Sequence, residues 1–106
     1  MGDAVSADPA PGPGLDQLAG PLLEYVTTQG CSDCRRFEEL LAQIHPDFPT
    51  VEVREVAGET ARGLQISVGR GVLRFPIIVL DDEVIGIESI SEDALRQALV
   101  RRLAVG

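Results

Sequence analysis

Residues 76–80 read Pro-Ile-Ile-Val-Leu, an apolar run without a polar break. Successive side chains of a strand point to opposite faces, so this run has no face to give to water. It fits a strand in the middle of a sheet that is covered on both sides. That requirement calls for helices above and below. The chain has 106 residues, enough for one domain. No apolar run approaches the roughly 18–20 residues of a membrane span. Trp is absent and Phe and Tyr together number four, so the core must be aliphatic.

The flanking sequence supplies the cover. Asp81-Asp82 makes a turn and Glu83–Glu88 returns with Val84, Ile85 and Ile87, which reads as an antiparallel hairpin. Upstream, residues 22–28 (LLEYVTT) read as a first strand between Gly20-Pro21 and Gly30. Residues 32–45 read as a helix, with Phe37, Leu40, Leu41 and Ile44 on one stripe and Pro46 and Pro49 ending it. Thr50–Val56 alternates Val51, Val53 and Val56 with Glu52, Arg54 and Glu55, the pattern of a second strand. Residues 59–68 read as a second helix with Ala61, Leu64 and Val68 sharing one face. Gly63 weakens that helix by about 1 kcal/mol relative to Ala. Ser91 N-caps the last helix, Glu92 and Asp93 favour its start, and Arg101 and Arg102 favour its end. Its stripe is Leu95, Ala98, Leu99 and Leu103.

The expected order is β-α-β-α-β-β-α over residues 15–106. The first β-α-β crosses over right-handedly and gives a parallel pair. The result is an α/β domain with a four-stranded mixed sheet and helices on both faces. Residues 1–14, MGDAVSADPAPGPG, read as a disordered tail, and Leu15–Ala19 as a short lead-in helix.

Nine basic residues, all Arg, stand against 17 acidic ones, for a formal charge of −8. Leaving out Asp3 and Asp8 of the tail takes this to −6. A sequence pI near 4.4 argues against a nucleic-acid binder and against a polybasic membrane module. The all-Arg bias has no folding explanation. The N-terminus has neither the basic start nor the apolar stretch of a secretion signal. The expectation is therefore a cytoplasmic, monomeric protein, in a compartment where a purely structural disulfide would not persist.

Two cysteines are too few for a disulfide scaffold or a four-cysteine metal site. Their spacing, Cys31-Ser32-Asp33-Cys34, carries the information, because chance placement gives it only about 2% of the time. The motif follows the first strand and opens the first helix. Free N–H groups there favour an anion, which would be the Cys31 thiolate. Cys34 lies one turn on and inward, placed to resolve a mixed disulfide at Cys31. A helix start contributes roughly 0.3–1 kcal/mol, which brings a thiol from about 8.5 only to about 8. Hydrogen bonds to the sulfur have to supply the rest. Asp33 opposes ionisation; Arg35 and Arg36 assist it. His45, the best third metal ligand, lies about 20 Å from Cys31 along the helix. No metal or cofactor is expected, and His45 reads as a helix-end residue beside Pro46.

GCSDC after a strand, followed by a β-α crossover and then RFPIIVLDDEVIG, resembles the thioredoxin-like superfamily over roughly residues 21–104. Lacking the extra N-terminal strand and helix of thioredoxin, the chain is closer in length to glutaredoxins and other small redoxins. The resemblance implies a cis proline facing the CxxC, and Pro76 matches it. The backbone of Phe75 would then pair with that of a bound substrate. Gly86 matches a family glycine that lets the next strand approach the same face. The sequence departs from the family at several points. GCSDC stands in place of WCGPC, and Tyr25 takes the position of the family's buried acid, with Glu24 beside it. Gly86-Ile87 replaces the glutaredoxin Gly-Gly pair, so glutathione binding is not implied.

The expected function is a small thiol–disulfide oxidoreductase acting through Cys31 and Cys34. Phe75, Pro76 and Gly86 would hold a disulfide-containing protein or small-thiol substrate. A reductase or low-molecular-weight thiol, unidentified, would regenerate the dithiol. The alternative is a non-catalytic binding module using the groove beside Phe75-Pro76. A thiolate metal carrier is the weaker third reading.

Overall fold

The computed structural model describes residues 20–105, so the tail over 1–14 and the lead-in helix over 15–19 lie outside the described residues. Four strands and three α-helices follow in the expected order. They are β1 (Leu22–Thr27), α1 (Ser32–Ile44), β2 (Glu52–Ala57), α2 (Ala61–Ile66), β3 (Ile77–Leu80), β4 (Glu83–Ile87) and α3 (Glu92–Val105). Short 3-10 turns at His45–Asp47 and Val68–Arg70 extend α1 and α2.

The sheet order is β2-β1-β3-β4. β1 runs parallel to β2 and antiparallel to β3, and β4 returns antiparallel on β3. All four residues of β3 are buried, as the unbroken apolar run requires. Ile78 and Leu80 face α1 and α3, together with Leu23 and Tyr25 of β1. Ile77 and Val79 face the other way, onto Ile66 of α2, with Val26 and Val56. The Asp81-Asp82 turn has both residues at positive φ, 47° and 70°, the geometry of a tight hairpin turn in which Asp is tolerated. Asp81 also ties the turn to β1: its Oδ1 accepts from the Leu22 N–H, and its N–H donates to the Leu22 carbonyl, both at 2.9 Å. Helix α1 buries Phe37, Leu41 and Ile44. Helix α3 is capped by Ser91 Oγ, which accepts from the Ala94 N–H at 3.1 Å.

The structure corrects the reading of the second helix. It is shorter than residues 59–68, and Ala61, Leu64 and Val68 are on its solvent side. Leu64 is 48% and Val68 61% exposed, whereas Gly63, Ile66 and Ser67 are buried. Close approach, not apolar area, sets the rotation of this helix. A Cβ at Gly63 would overlap the Ala57 carbonyl oxygen and the backbone of Gly58. Only glycine lets the helix lie that near β2. Smaller differences follow from exposure. The α3 stripe is covered as far as Leu99, and Leu103 is 37% exposed. Strand β2 starts at Glu52 rather than Thr50, and the edge strand β4 ends at Ile87, half in water.

Candidate active site

The turn from β1 into α1 builds the cysteine site. Gly30 takes φ 70°, a left-handed conformation that L side chains resist, and sends the chain from the strand into the helix. Cys31 is the N-cap of α1, with φ −89° and ψ 102°. Its Sγ accepts from the Cys34 N–H at 3.0 Å, so sulfur fills the capping place usually taken by a Ser or Asp oxygen. Cys34, one turn on, is 4% exposed, while Cys31 is partly open to solvent. The two are joined as a disulfide with Cα atoms 5.2 Å apart. Asp33 does not act alone on the sulfur's charge, because Arg36 pairs with it at 2.7 Å. That exposed pair is worth about 0–1 kcal/mol to the fold.

The start of β3 lies against the same sulfur. The Phe75–Pro76 peptide is cis. The Phe75 carbonyl oxygen is 3.7 Å from Cys31 Sγ, within reach of a donated S–H in the dithiol form. Pro76 is fully buried, and its carbonyl accepts from the Glu88 N–H at 2.8 Å, which fastens the end of β4 to the start of β3. Gly86 lies in β4. It pairs with Ile78 in the sheet, and a Cβ there would meet Ile78, Ile90 and the Ser89 carbonyl at 3.1–3.2 Å. The structure therefore brings Cys31, Cys34 and the Phe75 carbonyl together, with Gly86 in β4, paired to β3.

Beside the disulfide is an open cleft of about 260 Å³. Thr27 and Thr28 line it from β1 and its exit, Glu55 from β2, and Arg35 and Glu38 from α1, with both cysteines. Two of its carboxylates are anchored. Tyr25 Oη donates to Glu38 Oε2 at 3.0 Å, and Thr27 Oγ1 donates to Glu55 Oε2 at 3.1 Å. Burial pushes the Tyr25 phenol well above its usual pKa, and the Glu38 hydrogen bond and the charges of Glu38 and Glu55 push it further. Tyr25 is thus a fixed donor at any ordinary pH. Glu24, its neighbour along β1, faces the opposite side of the sheet, as strand alternation requires. There it is buried and held by Arg62 through two hydrogen bonds, at 2.7 and 3.0 Å.

Glu38 and Glu55 were not singled out as site residues by sequence reasoning. The available signal was spacing: Glu38 follows Cys34 by four residues and shares its face. His45 stands at the helix end as expected, with Nε2 donating to the Val51 carbonyl at 2.8 Å in the tautomer that this bond demands. Among the described residues, no three His, Cys, Asp or Glu side chains gather as a metal site. No helix of the described residues is long and apolar enough to cross a membrane.

No protein-family model and no curated protein matches the chain. Solved structures do. Thioredoxin 2 from Pseudomonas aeruginosa PAO1, in its reduced form, aligns with a TM-score of 0.62 and 28% identity over 88% of each chain. Fasciola hepatica thioredoxin aligns with a TM-score of 0.60 and 17% identity, over 83% of this chain and 86% of that one. Thioredoxin O2 from Arabidopsis thaliana, in its oxidised state, gives 0.57 and 18%, over 78% and 75%. The four-stranded mixed sheet with helices on both faces is the thioredoxin-like α/β fold.

Proposed function

The chain is a member of the thioredoxin-like superfamily, and from that premise we propose that it is a small oxidoreductase that reduces disulfides of proteins or small molecules. Fold and CxxC pair together support thiol–disulfide oxidoreductase chemistry at that general level. The observation that carries the finer reading is the asymmetry of the pair. One sulfur caps a helix and meets solvent, the other is buried one turn behind it. In the dithiol form, Cys31 as thiolate attacks one sulfur of a substrate disulfide. A Cys31–substrate bond forms, the substrate S–S bond breaks, and the other sulfur leaves as a thiolate that takes a proton from water. Cys34 then attacks Cys31 Sγ, closing the intramolecular disulfide and releasing the second substrate thiol. The protein loses two electrons and two protons, and the substrate disulfide gains both.

In this reading Phe75 offers its backbone to an extended substrate segment at Pro76, in the manner of strand addition. A reductase or a low-molecular-weight thiol returns the oxidised protein to the dithiol, and the proposed setting is the cytoplasm. The test is turnover. The protein should reduce insulin catalytically when a dithiol reductant is supplied, and Cys34→Ser should accumulate mixed disulfides at Cys31. Mixed disulfides trapped equally by Cys31→Ser would reverse the assigned order. Stable binding of a partner without turnover would favour the binding module instead.

A further inference from the structure

The cleft beside the disulfide holds three charged side chains, Arg35, Glu38 and Glu55, and none of them pairs with another. Among the described residues, seven of the nine arginines stand in ion pairs with carboxylates; Arg35 and Arg101 do not. Glu38 and Glu55 are each held at Oε2 by a neutral hydroxyl, from Tyr25 and Thr27, which fixes the carboxylate without cancelling its charge. Charges just outside the cleft do cancel: Asp33 meets Arg36 at 2.7 Å, and Glu88 meets Arg74 at 3.4 Å. The flank of both cysteines thus offers one cation and two anions. The space is about 260 Å³, roughly nine waters at about 30 Å³ each, the scale of an amino-acid head and not of a folded chain. A Cβ on Gly30 would meet nothing, so the turn before Cys31 leaves the mouth open. Phe75 and Pro76 do not line this cleft, which makes it a second approach to the same disulfide.

We propose that the cleft selects small disulfides that carry an α-ammonium and an α-carboxylate, of which cystine is the simplest. Glu38 and Glu55 receive the ammonium, and Arg35 receives the carboxylate. The proposal rests on the oxidoreductase reading and names a substrate class for it. A half-cystine inside a peptide has neither charge, because both groups are tied up in amides, so the cleft separates the free amino-acid disulfide from a protein disulfide. With one half seated, the Cys31 thiolate attacks its sulfur and the other half leaves. Attack by Cys34 on Cys31 Sγ then releases the seated half. Each leaving thiolate takes a proton from water, which receives those of the dithiol. Two electrons and two protons pass to cystine, and two cysteines result.

The experiment mixes reduced protein with excess disulfide at pH 7 and counts the small thiol released after an acid quench. The disulfides are cystine, its N,N′-diacetyl derivative without the ammonium, its dimethyl ester without the carboxylate, and hydroxyethyl disulfide with neither. Each rate is divided by that of the same protein on hydroxyethyl disulfide, which cancels any change in Cys31 reactivity. Variants are compared with wild type on the same disulfide, which cancels the reactivity of the disulfide itself. Glu38→Gln combined with Glu55→Gln should lose about fivefold on cystine and the dimethyl ester, but not on the diacetyl derivative. Arg35→Gln should lose about fivefold on cystine and the diacetyl derivative, but not on the dimethyl ester. Fivefold is about 1 kcal/mol, the upper range for an ion pair open to water. Glu83→Gln, on the hairpin strand beside the opposite end of β1 from the cysteines, should leave every ratio unchanged. A cystine ratio unchanged in either cleft variant, losses that do not follow the charge removed, or the same loss in Glu83→Gln overturns the assignment. Failure to reduce any disulfide, insulin included, removes the oxidoreductase reading and this inference with it, a result distinct from the others.

Discussion

The two faces of the sheet are closed by different means. On one, α1 and α3 lay long apolar stripes over Leu23, Tyr25, Ile78 and Leu80. On the other, the six residues of α2 contribute one large buried side chain, Ile66, and reach the sheet through Gly63. What the second face lacks in apolar cover is replaced by charge. Arg62 grips buried Glu24 with two nitrogens and Asp82 of the hairpin turn with one of the same pair, and Arg70 joins it on Asp82 at 2.8 Å. The comparison teaches that one sheet can be sealed by area on one side and by a directional clamp on the other. The chemistry is on the side sealed by area, where α1 is held rigidly enough to fix Cys31 and Cys34.

The largest expected effect is on the apolar face. Leu99→Ala, at a position 1% exposed, should cost about 2–5 kcal/mol in urea unfolding. Next comes the clamp. Arg62→Ala strands a carboxylate that is 5% exposed; with Arg62 itself one-third open to water, about 2–3 kcal/mol is expected. Replacing both partners, Glu24→Leu with Arg62→Leu, should recover most of that loss, because two apolar groups leave no stranded charge. If Arg62→Ala cost no more than a surface pair, about 0–1 kcal/mol, the contrast between the faces would collapse.

Extremes of pH should separate the faces without mutation. Tyr25, on the α1 side, has a raised pKa, so its contribution is complete below about pH 10 and is lost as pH rises beyond that. It is the sole tyrosine, so the tyrosinate absorbance reads it alone and should appear only with unfolding. Asp82, on the clamp side, has its pKa lowered by the Arg62 hydrogen bond and the Arg70 charge. Its contribution is complete above about pH 3.9 and is lost as pH falls below that, so Asp82→Asn should flatten the acid limb of the stability curve. The smallest effect tests the rotation of α2. Leu64→Ala, on the side that periodicity alone assigns to the core, should stay within about 0.5 kcal/mol in thermal unfolding.

Legibility in the sequence followed the same division. Helix α1 and the centre of α3 were readable because area-driven packing writes itself as a stripe, Phe37-Leu40-Leu41-Ile44 and Leu95-Ala98-Leu99. Strand β3 was readable because burial on both faces leaves no polar position. The face of α2 was not, because Gly63 acts by what it lacks and Arg62 acts through a partner 38 residues away. At the site, the spacing of Cys31 and Cys34 and the match of Pro76 led to residues that lie together in the fold. Glu38 was hidden, because an amphipathic pattern files every charged residue as solvent-facing. The cleft that receives it exists only once β1 and β2 are paired at Tyr25 and Glu55.

The brevity of α2 has a consequence in time as well as in energy. Six residues with a glycine in the third place form less than two turns, and Thr60, whose Oγ1 accepts from the Gly63 N–H at 3.1 Å, is their one side-chain cap. Such a segment opens without unfolding the rest, and its amide protons should exchange ahead of those in β1 and β3. Such an opening would release Arg62 and wet the Glu24 side of β1, the face opposite the cysteines. On that expectation the α2 face exchanges first, and the layer that holds Cys31 and Cys34, on the other side of the sheet, exchanges later.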